Sequence, residues 1–384
     1  MEMQYQRHIE RTRTAMTEHG IDLMFLNYGP HMEYITGIST PMYYDNFKSP
    51  GDWVTGVVFG LDQDPVLIFQ KDFFVEYDAD KVWIKDARVL PDDEDPHEFV
   101  ARILAEFKPE GKTIGVNKML WGQTLLALQA AAPCAKFVAA DDEMLDRIRS
   151  IKDESELALM ARTAEITDQV LKAVIKVMKP GMVERDVATE VVYQIRLLGG
   201  DDYSFYPGII CVGNGSDPQR SIMTRNTGMV LDPGTTVAFD FGVKYKGYCS
   251  DYGRSVFIGE PRADAIKAYE TITRASRAAM ETMGDKRTTP AQICDFVSDL
   301  VAADGFGDYY RYMELGHGIG LDIHEWPEMI PVNRESIKAG MCFTLEPKVW
   351  LPGKFYVRCE DVVVVGEDRA TPLTKFHYDP TVVA

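Results

Sequence analysis

No run of apolar residues approaches the ~20 that a membrane-spanning helix needs, and the opening MEMQYQRHIERTRTAM reads as a charged helix start instead of a secretion signal. Cysteine is scarce: six, at 134, 211, 249, 294, 342 and 359, with no CxxC pair in 384 residues. That excludes a disulfide framework and suits reduced thiols in the cytoplasm. Positive charge is in deficit, with 41 Lys and Arg against 59 Asp and Glu, a formal net charge of −18. Nucleic-acid phosphates and anionic membrane surfaces are therefore excluded as expected partners. The acidity reads as a well-solvated surface, with a salt-rich habitat or a cationic substrate as sharper alternatives. Short-period repeats and low-complexity tracts are also missing. What is present is an ordinary globular composition, 46% apolar, in a chain long enough for two or three domains.

The hydrophobic pattern divides the chain near 142–152. Before it, a helix over 5–20 is followed by short strand candidates at 22–26, 34–37, 53–59, 65–69, 114–116 and 137–138, with a helix at 98–107. This alternation predicts an α/β first domain, residues 1–148. After it, Asp153 with Glu156 three positions on forms a capping box that opens a helix through Leu157, Met160, Ala164 and Leu171. A second helix follows the Pro180-Gly181 break. Strands are expected at 236–241, 254–258, 342–346 and 356–365 and helices at 262–284 and 290–304, an α+β second domain over 149–384.

Five residues in that second half read together as metal ligands: Asp240, Asp251, His317, Glu346 and Glu360, in FDFGVKYKGYCSD, GHGIG, TLEP and RCED. Strand alternation around Asp240 and a hairpin through KYKG set Asp240 opposite Asp251. A second hairpin centred on Gly353 sets Glu346 opposite Glu360, with Arg358 on the same face. Like charges so placed repel unless a cation lies between them. Glycines flanking His317 let backbone approach closely and leave the ring free to aim at a metal. Four carboxylates balance two divalent ions, and oxygen-rich ligation with one imidazole suits Mn, Fe, Co or Zn, with Mn expected. Two such ions activate a water for hydrolysis of an amide, and Glu346 is placed to carry its proton.

In order and spacing these residues resemble the pita-bread metallopeptidase family, which includes methionine aminopeptidase, aminopeptidase P, prolidase and the creatinase relatives. The resemblance is strong over 149–384 and looser over a creatinase-like N-terminal domain. It implies the same five ligands, a substrate-contacting His324 in DIHEWP, and Arg358 beside the last glutamate. It extends to a lead-in formed by Arg149, Ile151, Lys152 and Glu156. It further implies a homodimer.

The resemblance breaks on the substrate side. Family peptidases usually carry a histidine in the loop before the first aspartate, where this chain reads VGNGSDPQRSIMTRN, with Gln219 and Arg220 at the expected place. The segment after Asp251 reads Tyr-Gly-Arg-Ser, without the usual hydroxyl residue before the arginine. The expected activity is hydrolysis of a C–N amide bond, Xaa-Pro dipeptidase-like, with His324, Glu346 and Arg358 catalytic and Gln219, Arg220 and His324 facing substrate. Two alternatives stay open. One is a small-molecule enzyme of the same fold, such as an ectoine- or creatine-type hydrolase or a dimethylsulfoniopropionate lyase-like enzyme. The other is a non-catalytic binding module. The stretch 42–53, rich in aromatic and acidic residues, reads as a loop at a dimer contact or as a cage for a cationic group.

Overall fold

The computed structural model describes residues 2–39, 51–76, 82–213, 216–219, 221, 223–310 and 314–384. The chain forms two compact units, Met1–Arg149 and Ser150–Ala384. Among the described residues, no helix is long and apolar enough to cross a membrane.

The first unit is a six-stranded mixed sheet in the order Asp86–Val89, Val66–Phe69, Gly56–Gly60, Leu23–Asn27, Thr113–Val116, Lys136–Ala139. Leu23–Asn27 runs antiparallel to Gly56–Gly60 and parallel to Thr113–Val116. Helix Pro96–Glu106 covers one face through Phe99, Val100, Ile103 and Leu104, and its N-terminus is capped by Asp95. The expected strand at 34–37 is instead the end of a helix, Pro30–Thr36. Pro30 pre-sets the first turn, and Gly37 ends it with φ 78°, a conformation that a residue with a Cβ adopts only at a cost. Of the 42–53 stretch, 42–50 lie outside the described residues; Trp53 is buried in this core against His97.

The second unit contains two helix-backed sheets. The first runs Thr381–Val383, Ser255–Ile258, Thr236–Tyr245, Asp202–Val212, with Tyr248–Cys249 also paired to Thr236–Tyr245. Helices Glu154–Val177 and Glu184–Leu197 pack on it through Ile166, Val170, Val187 and Val191 against Val237, Phe239, Phe241 and Val243. The expected capping box at Asp153 and Glu156 is formed, with both reciprocal bonds made. The second sheet runs Glu325–Met329, Gly316–Gly318, Cys342–Leu345, Asp361–Val365, Ala370–Pro372. It is backed by helices Ala263–Thr282 and Pro290–Ala303, which meet Phe343, Leu345, Val363 and Val365. The single strand expected over 356–365 is two, Phe355–Arg358 and Asp361–Val365. The chain breaks at Cys359 and Glu360, where Glu360 leaves its own sheet to pair with Gly253 of the other.

Candidate functional site

Period two decides which side chains meet. In Thr236–Tyr245 the odd positions Val237, Phe239, Phe241 and Val243 face the helices, so Asp240 points the other way. Phe343, Leu345 and Val363 of the second sheet face the helices, as do Val357 of the separate hairpin Lys348–Leu351/Phe355–Arg358 and Cys359 after it, which turns Glu346, Arg358 and Glu360 to the opposite side. The sheets join where Glu360 N donates to Gly253 O (2.8 Å) and Arg358 N donates to Ser255 Oγ (2.8 Å). The charged faces thus converge on one buried spot.

The aspartate hairpin turns on Lys246 and Gly247, with φ 47° and 85°, a two-residue turn matched to strand twist. It pairs Tyr245 with Tyr248, Lys244 with Cys249 and Phe241 with Tyr252. Asp251 therefore falls opposite Gly242, and Asp240 opposite Gly253. The direct Asp240–Asp251 opposition expected from the sequence is corrected to a diagonal one, because the turn is centred one residue later. A shift of two keeps both on the same face, and ligand atoms of Asp240, Asp251 and Glu360 lie within 4.8 Å of one another. Gly242 is required here: a Cβ would sit 1.8 Å from Ser250 O.

The glutamate hairpin has the expected register. Lys348 pairs with Arg358, Trp350 with Tyr356 and Leu351 with Phe355, and Leu345 with Asp361 beyond it, which sets Glu346 across from Glu360. Gly353 takes the positive φ (70°) in the loop. His317 lies between glycines whose Cβ atoms would strike Thr344 O at 2.0 Å (from Gly316) and Glu325 O at 2.6 Å (from Gly318). Its Nδ1 pairs with Gly318 O at 3.0 Å; with Nδ1–H as donor, Nε2 keeps a lone pair. That Nε2 is 3.3 Å from Asp251 Oδ2 and 3.8 Å from Glu346 Oε1. The exposed His324 ring stands edge-on to it, centroids 4.1 Å apart. The loop carrying His324 is pinned by a buried ion pair, Lys152 Nζ to Glu325 Oε2 at 2.9 Å, so the lead-in lysine acts at the site's rim.

Among the described residues, three Arg or Lys side chains reach the carboxylates. Arg358 lies 2.6 Å from Asp240, 2.9 Å from Glu346 and 2.7 Å from Glu360. Lys348 Nζ donates to Glu346 Oε2 at 2.7 Å, and Arg225 Nη1 is 2.6 Å from Asp240 Oδ2. Burial alone would raise Glu346, but Arg358, Lys348 and His317 outweigh it and hold its carboxyl at about 2. Burial dominates at Glu360 and lifts its carboxyl well above the ordinary range; burial also raises Asp240, with the Asp251 charge adding to it. Burial opposes a charged His317, yet its bond to Asp251 and the surrounding carboxylates raise its pKa.

The residues fit divalent cations. Asp251 Oδ1 and both Glu360 carboxylate oxygens are buried with no hydrogen bond, Glu360 Oε2 touching Arg358 only outside bonding geometry. Buried polar groups are almost always satisfied. Here the unsatisfied oxygens all point into one cluster beside an imidazole nitrogen, hard donors of the kind that hold such ions.

All five sequence-predicted ligands and Arg358 are brought together, and His324 lies at the edge of the cluster. Gln219 is exposed, its backbone N–H bonded to Asp217 Oδ1, and makes no contact with the cluster among the described residues. Arg220 lies outside the described residues. Three contributors escaped the sequence reading. Lys348 lies two residues after Glu346, a same-face spacing that strand parity makes visible. Arg225 follows the loop where a histidine was expected. Arg254 was noted only as a departure. Its guanidinium is sandwiched between Tyr252 and Tyr378 (4.6 and 4.8 Å) and pairs with Asp361 at 2.7 Å. Its Nη1 donates to Gly253 O and Glu360 O, stapling the junction of the two sheets.

The model of metallopeptidase family M24 matches residues 158–367, and that of the creatinase/prolidase N-terminal domain matches 8–151. An Xaa-Pro dipeptidase of Lactobacillus delbrueckii subsp. lactis is 27% identical over 370 residues, 95% of this chain and 96% of the relative. An Xaa-Pro dipeptidase of Pyrococcus furiosus is 30% identical over 264 residues, 69% of this chain and 74% of the relative. The crystal structure of a recombinant prolidase from Thermococcus sibiricus superposes with a TM-score of 0.85 at 26% identity, covering 99% of each chain. With a creatinase-type domain before a pita-bread catalytic domain, the chain belongs to metallopeptidase family M24 and is a metal-dependent hydrolase.

Proposed function

We propose that this peptidase is an Xaa-Pro dipeptidase that holds two divalent ions, Mn by preference, on Asp240, Asp251, His317, Glu346 and Glu360. The observation that carries the ligand assignment is the set of buried oxygens without hydrogen bonds on Asp251 and Glu360, facing a His317 Nε2 whose tautomer is set by Gly318. The proline preference rests on the printed activities of the full-length relatives. Bound divalent ions supply Lewis acidity and a water of lowered pKa.

The chain's own groups do the rest. Glu346 is ionised at neutral pH, and with Oε2 held by Lys348 and Arg358 its other oxygen is the one available to take a proton from the attacking water. It then passes that proton to the leaving nitrogen. His324, exposed beside His317, steadies the substrate carbonyl as charge builds on it. Arg358 orients Asp240, Glu346 and Glu360 together. A cytoplasmic, homodimeric enzyme is consistent with six free cysteines and with the family resemblance.

The departure at the loop before Asp240, where Arg225 and not a histidine meets the aspartate, favours a second reading: a small zwitterion or anion as substrate. One assay separates the two. Purified protein with added Mn or Co is offered Xaa-Pro dipeptides beside ectoine, creatine and dimethylsulfoniopropionate. Dipeptide cleavage is expected; turnover of a zwitterion without it overturns the dipeptidase reading, and absence of any recruitable divalent ion overturns the ligand assignment.

A further inference from the structure

His324 is exposed, yet the backbone that carries it is firmly held. Ligand atoms of His324, His317 and Asp251 lie within 4.8 Å of one another. Among the described residues the His324 ring makes no hydrogen bond and its one aromatic neighbour is His317, so the chain beneath it sets its direction. That chain is the tight loop from Gly320 to Glu325. Gly320 N donates to Asp322 O at 3.1 Å, and Asp322 N donates to Glu325 Oε1 at 3.0 Å. Gly320 O accepts from Cys249 N at 2.7 Å, in the hairpin that carries Asp251. Glu325 pairs with Gly318 across the strands, next to His317.

The loop closes on one buried group. Glu325 Oε2 accepts from Lys152 Nζ at 2.9 Å, with the two side chains only 2% (Lys152) and 6% (Glu325) exposed. A glycine leaves the space for this pair: a Cβ at Gly320 would lie 2.8 Å from Glu325 Oε2 and 2.9 Å from Lys152 Cε. Lys152 is fixed in turn by its own backbone. Its N–H donates to Gly340 O at 3.0 Å, Ile151 bridges Met341, and Asp153 caps the helix that follows. A buried ion pair costs desolvation on both sides and is a weak source of stability, so position is the fuller account of this one. It runs from a capped helix start to the residue beside His324, the rigid support that an exposed functional group needs.

We propose that Lys152 is a positioning residue: through Glu325 it holds the loop so that the His324 imidazole stays beside His317 and Asp251. This deepens the dipeptidase reading and rests on the part given there to His324. An imidazole that meets charge only as it builds on the substrate carbonyl acts in the transition state, so displacing it lowers kcat and leaves KM nearly unchanged.

The test is a double-mutant cycle on the metal-loaded full chain: wild type, Lys152→Met, His324→Ala and the double variant, with kcat and KM for one Xaa-Pro dipeptide and metal content measured on each. His324→Ala is expected to lower kcat ~10²-fold. Lys152→Met should lower kcat at least ~10-fold, keep KM within about threefold and retain its metal, and should cost less than about twofold once His324 is gone. Hydrogen exchange of the metal-free Lys152→Met chain should quicken over 320–325 and stay unchanged in the helices of the same unit. Unchanged kcat in Lys152→Met, equal losses with and without His324, loss of metal, or faster exchange throughout the unit overturns the proposal and leaves Lys152 as part of the scaffold. If Lys152→Met does not fold, Lys152→Gln with Glu325→Gln, a neutral pair that buries no lone charge, goes through the same cycle and must lower kcat at least about threefold, only where His324 is present. A His324→Ala chain with wild-type kcat removes the part given to His324, and a wild type that cleaves no dipeptide removes the dipeptidase reading; each takes the proposal with it.

Discussion

The aspartate and glutamate hairpins each deliver two carboxylates to one buried face, and each treats its two members differently. In the first, Asp240 meets two guanidinium groups while Asp251 keeps an oxygen with no hydrogen bond. In the second, Glu346 is bonded by Arg358 and Lys348 while both oxygens of Glu360 lack a hydrogen bond. Each pair therefore has one carboxylate held closely by Arg or Lys and one that keeps buried oxygen without a hydrogen bond. This division matters because a buried, unpaired carboxylate is costly. The pairs are poised to gain from divalent ions without requiring them for all of their balance.

The comparison can be broken most directly at Asp251. Asp251→Ala removes a carboxylate that no arginine or lysine holds among the described residues, and is expected to lower divalent-ion content to background and hydrolysis by at least ~10³-fold; elemental analysis and a dipeptide assay read both. Retained metal and activity would put the functional centre elsewhere. Next comes the joint between the hairpins. Arg254→Met strips Asp361 of its buried partner and unstaples Gly253 from Glu360, so unfolding in urea should show a loss of about 3–5 kcal/mol.

A smaller effect sharpens the internal-cation side. The folded pKa of Glu346, about 2, lies below its ordinary 4.5. Its ionised form therefore contributes stability that is present above about 4.5 and disappears as pH falls toward 2. Lys348→Met raises that folded pKa, shrinks the contribution, and should move the acid-unfolding midpoint of the metal-free protein to higher pH. An unchanged midpoint would mean that Arg358 alone suffices. The smallest effect is expected at Gln219, which is exposed and away from the cluster. Gln219→Ala should change kcat/KM less than about twofold and stability by under about 0.5 kcal/mol. A large KM change would return this loop position to the substrate.

How much was legible beforehand follows from which interactions are local. The glutamate hairpin could be read because the loop at Gly353 has a single centre, and parity then put Arg358 on one face with Glu346 and Glu360; the same parity, not applied to Lys348, would have added it. The aspartate hairpin was read two residues off, because KYKG offers adjacent turn centres and only the positive φ of Lys246 and Gly247 selects one. The end of the helix Pro30–Thr36 was taken for a strand since the short run Tyr34-Ile35-Thr36 carries no period of its own. Its proline and glycine were the better signals.

By itself the sequence determined the identity of the candidate ligand set, the alternation that turns acidic residues away from the helices, and the glycines around His317. These depend on residue type and a period of two, properties written in the order of the chain. Tertiary structure alone decided that Arg225 meets those carboxylates and that Arg254 clamps the sheets that carry them. Arg225 reaches Asp240 from a loop latched by Asn226 into the gap at Gly208, and Arg254 clamps two sheets from between two tyrosines. Such contacts join residues as far apart in the chain as Arg254 and Tyr378, and only packing brings them within reach.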